Sequence, residues 1–139
     1  MTPHEETSRK LVAEWLHKAN ADLAAAECLL SESDAFAGIV MFHCQQAAEK
    51  FLKAFLTWRG TDFPKTHDLG TLLNLIETVD RPLAVSLLTS VALTSYGVEL
   101  RYPSDHREAT AEEARDAVEL AKKVRDAVLP LLPAPPNGD

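Results

Sequence analysis

Proline positions constrain the fold of this chain more than any other feature of its sequence. Four of the eight prolines lie in the last ten residues, and the other four, Pro3, Pro64, Pro82 and Pro103, divide the rest into long segments without a helix breaker. Alanine and leucine, which both favour helices, number 20 each. No segment alternates apolar and polar residues as a half-buried strand does. We therefore predict an all-α fold.

Apolar residues that recur at spacings of three and four residues predict where the helices lie. In addition, Thr110 and Glu113 form a capping box, which marks the start of the last helix. The five predicted helices span about Thr7–Ser31, Ala35–Arg59, His67–Val79, Arg81–Arg101 and Ala111–Leu129. Their lengths predict an up-down four-helix bundle with an additional short helix. We expect this bundle to be a single domain, residues 1–129, followed by a Pro-rich, disordered tail, residues 130–139.

The charge of the chain limits the functions that it can have. There are 14 Lys and Arg residues against 21 Asp and Glu residues, which gives a net charge of −7. A protein that coats DNA or RNA needs a surplus of basic residues, so a broad nucleic-acid-binding surface is excluded. Cys28 and Cys44 form no CxxC pair and are interpreted as reduced. Since the sequence also has no signal peptide and no long apolar run, we expect a cytoplasmic protein without a membrane span.

Several kinds of site lack the residues that they require. A di-iron bundle needs two Glu-x-x-His motifs, and only Glu14-x-x-His17 is present. The five glycines never cluster, which excludes a phosphate-cradling loop, and no Gly-x-Ser-x-Gly motif occurs. We therefore predict neither a metal nor a cofactor.

The joint between the fourth and fifth predicted helices carries the strongest candidate site. Pro103 disfavours helical geometry at Tyr102, so the fourth helix is expected to end near Arg101. The break allows Arg101 and His106 to converge and, with Arg107, to form a positive cluster. A guanidinium group binds phosphate, and an imidazole transfers protons near neutral pH. The alternative is that Arg101 interacts with the helix dipole and that His106 is an ordinary surface residue.

Two further histidines are weighed in the same way. His43 lies beside the apolar stripe of the second helix and is interpreted as a packed or half-buried residue rather than a ligand. His67 lies where the third helix begins, and we favour a structural role in the helix cap. Thr66 and Asp68 are the neighbouring residues able to bind the free amides at that helix end.

Three segments of the sequence together resemble the HEPN domain family, in the branch usually encoded beside a minimal nucleotidyltransferase. The first segment resembles a Gln-Gln-Ala-x-Glu-Lys helix, the second a Thr/Ser-His-Asp-Leu helix start, and the third an Arg-x(4 to 6)-His motif. In this chain they are His43–Ala54, Thr66–Leu69, and Arg101-Tyr102-Pro103 followed by His106. The resemblance covers roughly residues 8 to 129.

This resemblance implies a helical bundle that forms a homodimer, with both Arg/His pairs facing one cleft. In active members of the family the pair cleaves RNA without a metal ion. The resemblance therefore implies Arg101 and His106 as catalytic residues, with Tyr102 and Arg107 as candidate substrate-binding residues. It also implies a toxin that is held in check by a nucleotidyltransferase (MNT) antitoxin. Other members bind nucleotides or partners without catalysis, and that alternative stays open.

Overall fold

The protein is all-helical over the part of the chain that its structure, a computed structural model, describes: residues 2–94 and 108–134. The helices are α1 (Pro3–Glu32), α2 (Ala37–Trp58), α3 (Leu69–Glu77), α4 (Arg81–Ser86) and α5 (Ala111–Val128). Short 3₁₀ turns lie at Asp34–Phe36, Leu88–Ala92 and Leu129–Leu131. No strand occurs in these ranges, and the prediction of an all-α helical bundle is confirmed.

Helix α2 is the central element of the bundle, since α1, α3 and α5 all pack against it. Its apolar residues occupy more than the single stripe visible in the sequence, because a second row, Met41, Ala48, Leu52 and Leu56, is also completely buried. Helix α1 presents the small residues Ala19 and Ala26 to the core, and α5 presents Ala114, Ala117 and Ala121. Small side chains at these positions allow the long helices to approach closely.

The predicted capping box at the start of α5 is confirmed. The Thr110 hydroxyl accepts a hydrogen bond from the amide of Glu113 at 3.1 Å, and the Glu113 carboxylate accepts one from the amide of Thr110 at 3.1 Å. Each bond satisfies a donor that the first turn of a helix leaves free.

The prediction of one continuous fourth helix over Arg81–Arg101 is wrong. Helix α4 ends at Ser86, and a 3₁₀ turn follows over Leu88–Ala92. Serine hydroxyls compete for the backbone carbonyls here, because Ser86 Oγ donates to the Leu83 carbonyl and Ser90 Oγ to the Leu87 carbonyl.

The spacing of the buried residues in this stretch also favours a 3₁₀ turn. Leu87, Ser90 and Leu93 are three residues apart and all buried, and three residues per turn place them on one face. The same spacing leaves Val85, Leu88 and Val91 exposed on another face. The last seven residues of the predicted helix, 95–101, lie outside the described residues.

The chain after α5 stays against the bundle as far as it is described. Leu132 packs against the core, and Arg9 Nη1 donates to the Ala134 carbonyl at 3.4 Å. Residues 135–139, the second half of the tail that we expect to be disordered, lie outside the described ranges. No helix in the described ranges is both long and apolar enough to cross a membrane.

Candidate functional site

The residues predicted to carry the chemistry, Arg101, Tyr102, His106 and Arg107, all lie outside the described residues. The structure does describe Thr94, the residue directly before the segment 95–107. The Thr94 hydroxyl accepts a hydrogen bond from the Leu69 amide at 3.0 Å. The chain therefore enters residues 95–107 directly beside the first turn of α3, two residues beyond His67.

A row of polar side chains on α2 is buried next to this point. Gln45, Glu49 and Lys53 lie one turn apart on the helix and are only 1%, 2% and 7% exposed. Buried polar groups are costly unless they are hydrogen-bonded, and buried charges are costly unless they are paired. The surroundings of these three side chains supply those partners.

Glu49 is the centre of the polar cluster. Its Oε1 accepts hydrogen bonds from Gln45 Nε2 at 3.1 Å and from His67 Nδ1 at 2.8 Å, and its Oε2 accepts one from Lys53 Nζ at 3.0 Å. Three donors from α2 and the α2–α3 loop therefore converge on one buried carboxylate. We call Gln45, Glu49, Lys53 and His67 the Glu49 cluster.

Aromatic rings cover the positive end of the cluster. The ammonium group of Lys53 lies 5.5 Å from the ring centroid of Trp15 on α1 and 5.8 Å from that of Phe63 in the α2–α3 loop. The two rings are themselves 6.2 Å apart. Cations interact favourably with aromatic faces at such distances, and the rings also shield the ion pair from water. The cluster thus ties α1 and the loop to α2.

His67 forms the exposed edge of the cluster. Its carbonyl accepts a hydrogen bond from Gln45 Nε2 at 3.0 Å, and its side chain is 74% exposed although Nδ1 is bonded to Glu49. A carboxylate only accepts hydrogen bonds, so Nδ1 must carry the hydrogen and Nε2 is the free nitrogen of the neutral ring. Within the described residues Nε2 has no hydrogen-bond partner.

The prediction that Thr66 or Asp68 serves the cap of α3 is confirmed, but the His67 side chain itself takes no part in the cap and binds Glu49. The cap of α3 is Asp68, whose carboxylate accepts from the Gly70 amide at 3.0 Å and from the Thr71 hydroxyl at 3.0 Å. The Thr66 hydroxyl in turn accepts from the Asp68 amide. Because these neighbours satisfy the free amides, the imidazole of His67 is available to bind α2 instead.

The interpretation of His43 as half-buried is confirmed. Its Nδ1 lies 2.9 Å from Asp22 Oδ1 on α1, and Lys50 Nζ binds the other carboxylate oxygen of Asp22. This second carboxylate–imidazole pair joins α1 to α2. The exposed fraction of the His43 side chain is 28%, far below that of His67.

Comparison with known proteins identifies the family. The HEPN domain pattern matches residues 12–131, which include the whole Glu49 cluster and the segment from Arg101 to Arg107. The chain belongs to the HEPN domain family. A solved structure of similar fold is that of TT1696 from Thermus thermophilus, which is 28% identical in sequence, with a TM-score of 0.72 over 87% of this chain and 98% of that one. No curated protein matches the sequence.

The core thiol of this HEPN domain and its acidic side chains offer no competing site in the described ranges. Cys44 is in the core, where burial, with a smaller contribution from the negative charge of Glu27, raises the pKa of the thiol to about 12. Such a thiol stays protonated and unreactive at neutral pH. Residues 2–94 and 108–134 contain no group of three or more His, Cys, Asp or Glu side chains placed to hold a metal ion.

The sequence carries a signal for the Glu49 cluster that a search for a single apolar stripe does not detect. Helix α2 has two adjacent apolar rows, so more than half of its circumference must face protein. The polar residues beside those rows, Gln45, Glu49 and Lys53, are then expected to be buried with partners. Their spacing does not reveal which loop supplies the partner, because the contact between His67 and α2 depends on how the loop before α3 folds.

Removing the buried carboxylate of the HEPN domain is expected to destabilise the fold. We predict that Glu49→Ala lowers the free energy of unfolding by about 3–5 kcal/mol, because it leaves the Lys53 charge buried without a partner. The matched variant, Glu49→Gln with Lys53→Met, removes both charges and is predicted to lose less. Urea denaturation followed by circular dichroism measures both. Equal losses in the two variants would show that the unpaired charge is not the cause.

Proposed function

We propose that this HEPN protein is a metal-independent endoribonuclease and the toxin of a HEPN/MNT toxin–antitoxin pair. Arg101 and His106 are the proposed catalytic residues, and Tyr102 and Arg107 the proposed substrate-binding residues. The observation that supports this proposal is the HEPN match itself, because it extends across the Arg-x4-His segment in the order that the family motif requires.

The chemistry of RNA cleavage suits these residue types. The 2′-hydroxyl attacks the neighbouring phosphorus, and the developing charge on the phosphoryl oxygens needs a positive partner. Arg101 supplies a guanidinium fork for those oxygens, and the His106 imidazole removes the proton of the attacking hydroxyl. Both groups work without a metal ion. General acid–base catalysis of this kind is worth roughly 10²–10⁴-fold in rate.

The described residues support a location for this site at the first turn of α3. The segment that holds Arg101 and His106, residues 95–107, directly follows Thr94, whose hydroxyl accepts a hydrogen bond from the Leu69 amide. His67, two residues before Leu69, has an exposed ring whose Nε2 has no hydrogen-bond partner among the described residues. The net charge of −7 is consistent with contact to one phosphate rather than a long RNA.

We further propose that the protein is a homodimer and that a second copy covers the exposed apolar row of Val85, Leu88 and Val91. These side chains are 55%, 58% and 38% exposed. The row ends three residues before the segment that carries the proposed catalytic pair. A dimer formed through it would bring two copies of that segment towards one cleft, as the family resemblance implies.

The second candidate function is a non-catalytic HEPN module that binds a nucleotide or a nucleotidyltransferase partner. The observation that favours it is the sequence Arg101-Tyr102-Pro103, since many family members with Arg-Tyr-Pro lack the histidine. A stoichiometric complex with a co-expressed nucleotidyltransferase, together with no RNA cleavage by the free protein, would favour this candidate over the ribonuclease.

The catalytic proposal predicts that the purified protein cleaves single-stranded RNA in EDTA and that His106→Ala abolishes cleavage. The matched control is His17→Ala, which removes a histidine of α1 outside the proposed site and is expected to keep full activity. Expression of the wild type, but not of the His106→Ala variant, is expected to arrest bacterial growth. Equal cleavage by the wild type and His106→Ala would refute the assignment.

The dimer proposal predicts that Leu88→Glu shifts the protein from dimer to monomer, because it places a charge in the middle of the apolar row. Light scattering coupled to size-exclusion chromatography measures the mass. Leu11→Glu, a change at a half-exposed leucine on α1, is the control and is expected to remain dimeric. A wild type that is monomeric, or a dimer unaffected by Leu88→Glu, contradicts the proposed surface.

A further inference from the structure

A cavity of about 250 Å³ lies between α1 and the chain that follows α5. Arg9, Val12, Ala13 and Leu16 belong to its wall on α1, and residues 133 and 134 form the opposite wall. The α1 residues are spaced three and four apart, so they share one face of the helix. We call this space the Arg9 cavity. It shares no residue with the Glu49 cluster or with the proposed catalytic segment.

The lining of the Arg9 cavity is apolar except for positive and neutral polar groups. Val12, Leu16 and Pro133 supply apolar surface, and none of the eight lining residues is acidic. The chain as a whole has 21 Asp and Glu residues against 14 Lys and Arg residues. A lining without carboxylates in an acidic protein favours a ligand that carries negative charge.

Arg9 has donors that its described surroundings do not use, although a guanidinium group offers five. Its Nη1 donates to the Ala134 carbonyl at 3.4 Å, which is long for a hydrogen bond. Its Nε is buried and has no hydrogen-bond partner among the described residues. No carboxylate in the described ranges pairs with Arg9, although Glu5 lies one turn earlier on α1. A buried donor without an acceptor is uncommon, and a bound ligand is one explanation for it.

The neighbours of the guanidinium group position it without using up its donors. Its central carbon lies 5.9 Å from the centroid of the Trp58 ring on α2. Such a contact attracts the positive charge but leaves the N–H groups for other acceptors. Ala134 is exposed, so its carbonyl can turn to water when a stronger acceptor takes its place.

The size and charge of the Arg9 cavity select the class of ligand. A cavity of about 150 Å³ accommodates benzene. The 250 Å³ found here therefore accommodates a ring of that size, or a short aliphatic chain, with a carboxylate attached. One arginine balances one negative charge, whereas a phosphate monoester carries about two at neutral pH. A planar carboxylate also matches the geometry of the guanidinium fork.

We propose that the Arg9 cavity binds a small monocarboxylic acid with an apolar body. The carboxylate of the ligand displaces the Ala134 carbonyl and accepts hydrogen bonds from Nε and Nη1 of Arg9. The apolar body lies along Val12 and Leu16, against Pro133. This binding is separate from the proposed ribonuclease function, because the two use different residues.

Isothermal titration calorimetry of the full chain with hexanoate and benzoate tests the proposal, with hexanol as an uncharged comparison. We expect saturable one-to-one binding of at least one acid, with a dissociation constant on the order of 0.1–1 mM. Arg9→Met removes the charge and keeps an apolar stem, and it is expected to weaken the binding of the acid about 10–100-fold. Hexanol is expected to bind wild type and variant equally weakly.

Two further variants make the test specific. Lys10→Met is the matched control, because it removes a positive charge from the next residue, which is exposed and does not line the cavity. It is expected to bind the acid like the wild type. Ala13→Leu fills the cavity and leaves Arg9 in place, and it is expected to abolish binding. It also tests the proposal if Arg9→Met does not fold.

Each outcome supports or overturns the Arg9 cavity as a ligand site. No saturable binding of either acid by the wild type overturns it, whether or not the protein cleaves RNA. Equal losses of affinity in Lys10→Met and Arg9→Met overturn it, because the attraction then comes from overall charge. Unchanged binding in Ala13→Leu overturns it, because the acid then binds elsewhere. Binding only by a variant that ends at Ala134 also overturns it, because residues 135–139 then exclude the acid from the cavity.

Discussion

The buried carboxylate of Glu49 is the constraint on which the arrangement of this HEPN domain depends. Placing it inside the bundle requires donors for both oxygens, and α2 supplies Gln45 for Oε1 and Lys53 for Oε2. The third donor, His67, comes from the loop before α3, and the Lys53 charge requires the Trp15 and Phe63 rings above it. One buried ion pair therefore fixes α1, the α2–α3 loop and the start of α3 relative to α2.

The periodicity of the sequence predicts most of the helical framework because the physics involved is local. The apolar spacing places α1, α2 and α5 within a few residues of their observed bounds, and the capping box locates the start of α5 correctly. The fourth helix fails for a local reason too. Ser86 and Ser90 donate hydrogen bonds to carbonyls within their own turn, and the backbone changes from α to 3₁₀ geometry there. The absence of proline from this stretch had predicted a continuous helix.

The contacts of the Glu49 cluster are harder to predict from sequence periodicity, because its residues come from distant parts of the chain. The sequence identifies Arg101 and His106 through the helix break at Pro103 and their side-chain chemistry, and it identifies the segments around Glu49 and His67 through their resemblance to a family. It does not reveal that Glu49 and His67 touch, because 18 residues separate them and the loop between them turns back on α2. The roles of Arg101 and His106 stay predictions that solution chemistry must decide, and the Glu49 cluster supplies the fixed surface beside which they are proposed to act.

The most direct test of the hydrogen bond between His67 and Glu49 is to determine the tautomer of His67 in the intact protein. Nitrogen-15 NMR of the imidazole rings, recorded where His67 is neutral, distinguishes a nitrogen that carries hydrogen from one that does not. We predict hydrogen on Nδ1 and none on Nε2 in the wild type, because the Glu49 carboxylate can only accept a hydrogen bond from Nδ1. Hydrogen on Nε2 in the wild type would contradict the role of Glu49 as the buried carboxylate that accepts a hydrogen bond from His67.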